Sequence, residues 1–418
     1  MTFGPTRRDG LTSIDGGVTA APGYRAGGVR CGIKPSGDPD MALVASDAPA
    51  QAAATLTSNH FRAAPCQVTA RHVADGNARV VVLNSGNANA GTGEQGRTDA
   101  RLMCASVADK MGCQGDEVLV CSTGVIGEPL DRGCITAGVA DVVEALDADG
   151  GGASARAILT TDTVTKESAY RVENGGRAWT VGGMAKGAGM IEPNMATMLA
   201  VITTDAPLTA ADLRQMLDRA VSRTFNRISV DACGSTNDTV IALANGEVPE
   251  GDDEATDHDD RALLSVALEA VCADLARAIV ADGEGATRIG HVQVTGARWD
   301  EEAVEVARAI ASSVLVRSAL YSGDPNWGRI LAAMGTASAP IDPDSVTVRL
   351  GPASNPDAAL TFFQDGEAAG VEVADASAAL AHDEVLVDVD LGLGSAEATF
   401  LTADLSPQYV EENAHYTT

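Results

Sequence analysis

The densest run of chemistry-bearing residues lies between Val181 and Ala206. A glycine-rich stretch, residues 182–189, carries Lys186, one of only four lysines in the chain. Pro193 and Asn194 predict a turn, Ala196 and Thr197 follow, and the apolar run Leu199–Thr204 predicts a strand. A lysine in a glycine loop suits an anionic ligand. A threonine at a strand start presents a hydroxyl that an adjacent base would turn into a nucleophile. The same residues read equally well as a glycine loop entering a buried strand, and residue type alone does not choose between the two.

Other motifs are weaker. Gly91-Thr-Gly-Glu-Gln-Gly96 matches the dinucleotide fingerprint, after the strand-like run 78–83 and before a helix at Arg101. Seven residues, Asn84 to Ala90, separate strand from glycine where the fingerprint needs a tight turn, which argues against a dinucleotide. No phosphate-loop or G-x-S-x-G pattern occurs. The six histidines are not spaced as zinc ligands, so no metal is expected. Ser122-Thr123-Gly124 reads as a strand-end turn. The acidic run Glu250–Asp260 lacks calcium-loop spacing and reads as a solvated loop.

The elements that must position these residues alternate without a regular βαβ rhythm. Strands are predicted at Gln67–His72, Val80–Asn84, Glu117–Cys121, Trp179–Val181, Leu199–Thr204, His291–Val294, Ser345–Leu350 and Val385–Val389. Helical spacing covers Arg101–Met111, Ala210–Val221, Ala262–Ala281 and Glu301–Ser318, with Thr209 as an N-cap. Asp149–Ala155 and Ala339–Asp344 read as loops. The pattern predicts an α/β protein of the α+β layered-sandwich type rather than a doubly wound sheet.

At 418 residues, with 45% hydrophobic and 21% charged residues, the chain predicts a globular protein of more than one lobe. No apolar run reaches membrane-span length and no leader pattern opens it. Eight scattered cysteines without close pairs fit reduced thiols and a cytoplasmic location. A net charge of −29 opposes binding to nucleic acid or anionic membranes, because the phosphate interaction would be repulsive.

Lys186–Thr204, with Asn194–Leu199 and Ile202–Asp205 inside it, resembles the signature of the ornithine acetyltransferase family, the glutamate N-acetyltransferases of arginine biosynthesis. Further blocks agree in order: Leu83–Ala90, Cys121–Gly127, Thr160–Thr163, Phe225–Asp231, Gly234–Asp238, Asp282–Gly285, Gly323–Arg329 and Tyr409–Thr418. The resemblance implies an aminopeptidase/ornithine-acetyltransferase-like fold. It also implies a chain that cuts itself between Ala196 and Thr197, giving an α chain 1–196 and a β chain 197–418 whose C-terminal lobe starts near 295. Thr197 would then be an N-terminal nucleophile. Its own free amine, with a reference pKa of about 7.7–8.0, would serve as base where no histidine dyad is visible.

By the same resemblance the reaction is ping-pong, from N2-acetyl-L-ornithine to L-glutamate. Thr123 and Gly124 stabilise the oxyanion, and Thr160, Lys186, Thr197, Glu284, Asn413 and Thr418 bind substrate. No cofactor is implied, although some members also take acetyl-CoA as a co-substrate. Two cut precursors would assemble as an α2β2 heterotetramer. The neighbouring alternative is an N-terminal-nucleophile aminopeptidase or amidase, which passes its acyl group to water instead. A rival of another class is a binding protein on the same scaffold that never cuts itself.

Overall fold

The computed structural model describes residues 3–5, 9–192, 198–246 and 256–415. The predicted Ala196, Thr197 and Thr418, and residues 250–255 of the acidic run, lie outside them.

The fold is layered α/β, with two sheets among the described residues. The first runs, in order, Leu11–Ile14, Lys166–Asn174, Arg177–Lys186, Leu199–Thr204, Thr239–Ala244, Met41–Leu56, Asn77–Asn84 and Val118–Ser122, with Tyr24–Val29 paired to one half of Met41–Leu56. Its centre is mixed: Leu199–Thr204 lies parallel to Thr239–Ala244 and antiparallel to Arg177–Lys186. Both central strands are buried throughout, as expected for strands covered on two faces.

The two-residue period of a strand divides the core. Val80 and Val82 face helices Gly93–Met111 and Arg132–Glu144, while Val81 and Leu83 join Ile158, Met184, Leu199 and Val201 on the opposite face. Ala200 and Ile202 point the other way from Leu199 and Val201, onto helices Ala210–Arg223 and His258–Ala281. Burying each such valine or leucine contributes about 1.5–3 kcal/mol.

The second sheet runs Glu367–Ala368, Leu360–Gln364, Thr347–Pro352, Glu384–Asp390, Ile289–Ala297, Ala396–Ala403 and Ile228–Ser229. It packs a separate apolar cluster against helices Asp300–Ala311 and Val314–Ser322. Ile228–Ser229 pairs with Leu401 and Thr402, so the stretch just before Asp231 belongs to this sheet.

Five predicted elements change. Residues 182–186 of the glycine-rich loop are the end of strand Arg177–Lys186, where small residues pair with Leu199–Thr203. His258–Asp260 of the acidic run open helix His258–Ala281, and Asp260 is buried there instead of solvated. Gln67–His72, predicted as a strand, is the second half of helix Ala64–His72, which buries Cys66, Val68 and Thr69. Pro65 in its first turn is the start signal that outweighs the β-branched pair. Asp149–Ala155, predicted as a loop, contains most of helix Gly151–Ala157. There glycine serves close approach: a Cβ at Gly150 would lie 1.9 Å from the Ala26 carbonyl oxygen, and one at Gly28 would lie 2.1 Å from that of Ala153. Glu301–Ser318 is two helices, broken where Ser313 caps the second by accepting from the Val316 N–H.

Candidate active site

The strands that carry the predicted residues stop at a common edge. Val118–Ser122 delivers Thr123 and Gly124, and Arg177–Lys186 ends on Lys186. Beside them a cavity of about 150 Å³ is lined by Thr123, Gly124, Thr160, Lys186, Glu284 and Asn413. Six predicted residues, spread over 290 positions of sequence, therefore share one hollow. Asp231, Asn237 and Tyr409, which sequence reasoning did not single out, also line it.

The turn at Thr123 is fixed from three sides. The Thr123 N–H donates to the Asn84 carbonyl at 3.0 Å, and the Asn237 amide donates to the carbonyls of Ser122 at 2.8 Å and Ala88 at 2.6 Å. Gly124 has φ +128°, and a Cβ there would lie 2.3 Å from the Gly86 carbonyl carbon, so only glycine fits. Among the described residues neither the Thr123 hydroxyl nor the Gly124 N–H has a hydrogen-bond partner. A hydroxyl and a backbone N–H side by side at a cavity are a pair of donors that can stabilise an oxyanion.

Lys186 is buried at the opposite wall. Its Nζ donates to the Thr160 hydroxyl at 2.6 Å and stands 3.5 Å from the Asp162 carboxylate. Asp162 also accepts from Lys166 Nζ at 2.8 Å and from the Gly187 N–H at 2.6 Å, and Lys166 pairs with Asp282 at 2.6 Å. Two lysines and two aspartates thus neutralise one another away from water, the condition under which buried charge is tolerated. Burial alone would push the Asp162 carboxyl up. The charges of Lys186 and Lys166, with the Lys166 and Gly187 hydrogen bonds, outweigh it and hold the group well below the usual carboxylate range. Asp162 was legible only as part of the block Thr160–Thr163; nothing in its spacing marks it as the partner of Lys186.

Glu284 sits where the chain enters the cavity from helix His258–Ala281. Its N–H donates to the Ala188 carbonyl at 2.8 Å, and its carboxylate accepts from the Asn413 amide at 2.8 Å. Asn413 lies on helix Pro407–His415, which also brings Tyr409 to the pocket. Asp231 accepts from the N–H groups of Met190, of Ile191 at 2.9 Å and of Cys233 at 3.0 Å. Burial nonetheless raises its carboxyl above the usual range. Met190, held this way, has φ +59°, a left-handed conformation that costs a non-glycine residue about 1–3 kcal/mol.

The fingerprint Gly91–Gly96 does not open a nucleotide site of the expected shape. Helix Gly93–Met111 already includes its second and third glycines, and a Cβ at Gly96 would collide with Thr92 and Asn89. Among the described residues no group of three or more His, Cys, Asp or Glu side chains could hold a metal ion, and no helix is long and apolar enough to cross a membrane.

The ArgJ family model matches residues 25–418. The arginine biosynthesis bifunctional protein ArgJ of Thermosynechococcus vestitus is 45% identical over 420 residues, spanning 97% of this chain and 99% of that protein. The protein of the same name from Thermobifida fusca is 44% identical over 402 residues, 96% and 100% of the two chains. Among solved structures, ornithine acetyltransferase from Mycobacterium tuberculosis complexed with ornithine is 44% identical, covering 44% of this chain and 98% of that one, with a TM-score of 0.42. With a family match over nearly its whole length and full-length relatives at this identity, the chain belongs to the ArgJ family.

Proposed function

We infer that this chain is the glutamate N-acetyltransferase of arginine biosynthesis, an acyltransferase that moves acetyl from N2-acetyl-L-ornithine to L-glutamate. The observation that carries this reading is one cavity lined by a buried cation, Lys186, a carboxylate, Glu284, and the neighbouring donors of Thr123 and Gly124.

In this reading Thr197 is the nucleophile. Its hydroxyl attacks the Ala196 carbonyl, the C–N bond breaks, and the hydroxyl proton passes to the departing nitrogen. Water then opens the ester, leaving chains 1–196 and 197–418, the second with a C-terminal lobe from about 295. The freed amine is the base for the Thr197 hydroxyl in turnover. Thr197 takes acetyl from acetylornithine, releases ornithine and passes acetyl to glutamate. Each half-reaction goes through a tetrahedral oxyanion that Thr123 and Gly124 stabilise.

Lys186 holds the substrate α-carboxylate, with Thr160 beside it, and Glu284 with Asn413 faces the ornithine ammonium. Thr418 closes the pocket from the C-terminus. No cofactor is required; acetyl-CoA would enter only as a second acetyl donor. The processed chains assemble as α2β2 and work in the cytoplasm.

The test is intact mass spectrometry of the purified protein before and after incubation with N2-acetyl-L-ornithine, paired with an ornithine-release assay. Two chains and an acetyl adduct on residues 197–418 are expected, with sustained release only when glutamate is present. Sustained release without glutamate would instead identify a hydrolase of the aminopeptidase or amidase kind.

A further inference from the structure

Immediately before the segment read as the cleavage site, the main chain is fastened to residues that follow it in sequence. Glu192 is buried, and both its carboxylate oxygens are occupied. Oε1 accepts from Arg308 Nε at 3.1 Å and from the Ser312 hydroxyl at 3.1 Å; Oε2 accepts from the Ser229 hydroxyl at 2.9 Å and again from Ser312 at 3.1 Å. Ser312 closes helix Asp300–Ala311. The C-terminal end of a helix repels a carboxylate, so the Arg308 charge is needed to hold one there.

The neighbouring residues are fastened as well. The Val230 N–H donates to the Ile191 carbonyl at 2.9 Å, and Asp231 holds Met190 in its left-handed conformation. Beyond the segment, the Met198 N–H donates to Asp238 at 3.0 Å, and the Met198 carbonyl accepts from the Thr239 N–H at 3.1 Å. Both flanks are thus moored to the stretch 229–239, and the Glu192 carboxylate adds polar contacts to the C-terminal lobe through Arg308 and Ser312.

We propose that Glu192, gripped by Ser229, Arg308 and Ser312, is a positioning residue for self-cleavage: it fixes the end of the chain that leads into the cleavage segment. The proposal rests on the cleavage reading given above. All three partners lie on the far side of the cut, and two of them, Arg308 and Ser312, belong to the C-terminal lobe, so the grip on Glu192 is complete only after that lobe has folded. Cleavage is thereby tied to completion of the fold, and after it the same contacts bind the end of the α chain to the β chain. Attack within one chain depends steeply on placement, and a misplacement of about 1 Å can cost on the order of 100-fold in rate.

The experiment follows conversion of newly synthesised full-length chain into two bands by pulse-chase on denaturing gels. Wild type is compared with Glu192→Gln, Arg308→Met, Arg308→Lys and Ser312→Ala. Cleavage should slow at least tenfold in Glu192→Gln and Arg308→Met, less in Ser312→Ala, and recover in part in Arg308→Lys. Thr209→Ala, which weakens helix Ala210–Arg223 without touching a contact of Glu192, is the control for lost stability. Wild-type cleavage rates in all four clamp variants, or equal slowing in Thr209→Ala, would overturn the proposal. If Glu192→Gln fails to fold, Ser312→Ala, which removes one hydroxyl and no charge, decides it. A wild-type chain that never cuts itself would overturn the cleavage reading and the proposal with it, whereas uniform cleavage in the variants would overturn the proposal alone.

Discussion

The carboxylate of Glu284 lies directly over Gly189: a Cβ built on that glycine would stand 2.3 Å from Glu284 Oε2 and 2.4 Å from its Cδ. The glycine turn that follows Lys186 is therefore shaped by this acid. The segments that bear the two charges proposed to read opposite ends of one substrate also meet where the Glu284 N–H donates to the Ala188 carbonyl.

Gly189→Ala should push that carboxylate away from Asn413. The side chain is flexible, so the fold adjusts, and the melting temperature should move little. Loss of a charged hydrogen bond, about 1.5–3 kcal/mol, predicts a fall of roughly 10–100-fold in kcat/KM for acetylornithine. Steady-state kinetics on the purified variant check this; an unchanged kcat/KM would remove Glu284 from ammonium recognition.

Asp162→Asn leaves Lys166 and Lys186 facing one another with only Asp282 to offset them. Removing one member of a buried pair costs about 3–5 kcal/mol. The folded-state pKa of Asp162 lies below its unfolded value of about 3.9, so the unfolded chain binds more protons between the two. Its contribution is present above pH ~4 and is lost as pH falls toward the depressed folded value. The stability gap between wild type and variant should accordingly be full at pH 6 and close on acidification below about pH 4, as denaturant titrations at several pH values would show.

Thr123→Val removes one of the two open donors while keeping the side-chain shape. If that hydroxyl stabilises the oxyanion, kcat should fall on the order of 10²–10³ with KM nearly unchanged. A variant that loses KM and keeps kcat would place Thr123 in ground-state binding instead.

Thr209→Ala deletes the N-cap of helix Ala210–Arg223, where the threonine hydroxyl accepts from the Asp212 N–H at 3.1 Å. A loss of about 1 kcal/mol is expected in urea titration, because one orphan N–H of the first turn loses its partner. Transfer kinetics should be untouched, since no residue of this helix lines the cavity.

Much of the framework was legible because periodicity and caps are local. The strand at Leu199–Thr204, the helix at Ala210 with its Thr209 cap, and the strand at Val80–Asn84 all appear where their patterns predicted them. The failures are local patterns overruled by neighbours. Three consecutive glycines at 150–152 look like a loop until strand Tyr24–Val29 presses on Gly150, and Gly28 of that strand on Ala153, when the lack of side chains becomes the means of packing a helix on a strand. The break at Ser312–Ser313 likewise follows from a cap that the apolar spacing of 301–318 conceals.

By itself the sequence determined the layered α/β class, the family, and six residues of the cavity: Thr123, Gly124, Thr160, Lys186, Glu284 and Asn413. It did so because residue identities and ordered motifs survive without coordinates. Only the tertiary structure decided how those residues are held. Asp162 beneath Lys186, Asn237 behind Ser122, and Arg308 on Glu192 are 24, 115 and 116 positions apart from their partners. Such pairings depend on which strand ends and helix ends meet in space, and no spacing along one chain encodes them. Charge balance and hydrogen-bond satisfaction in a buried site are properties of that meeting, so they became readable only when the two sheets and their helices were brought together.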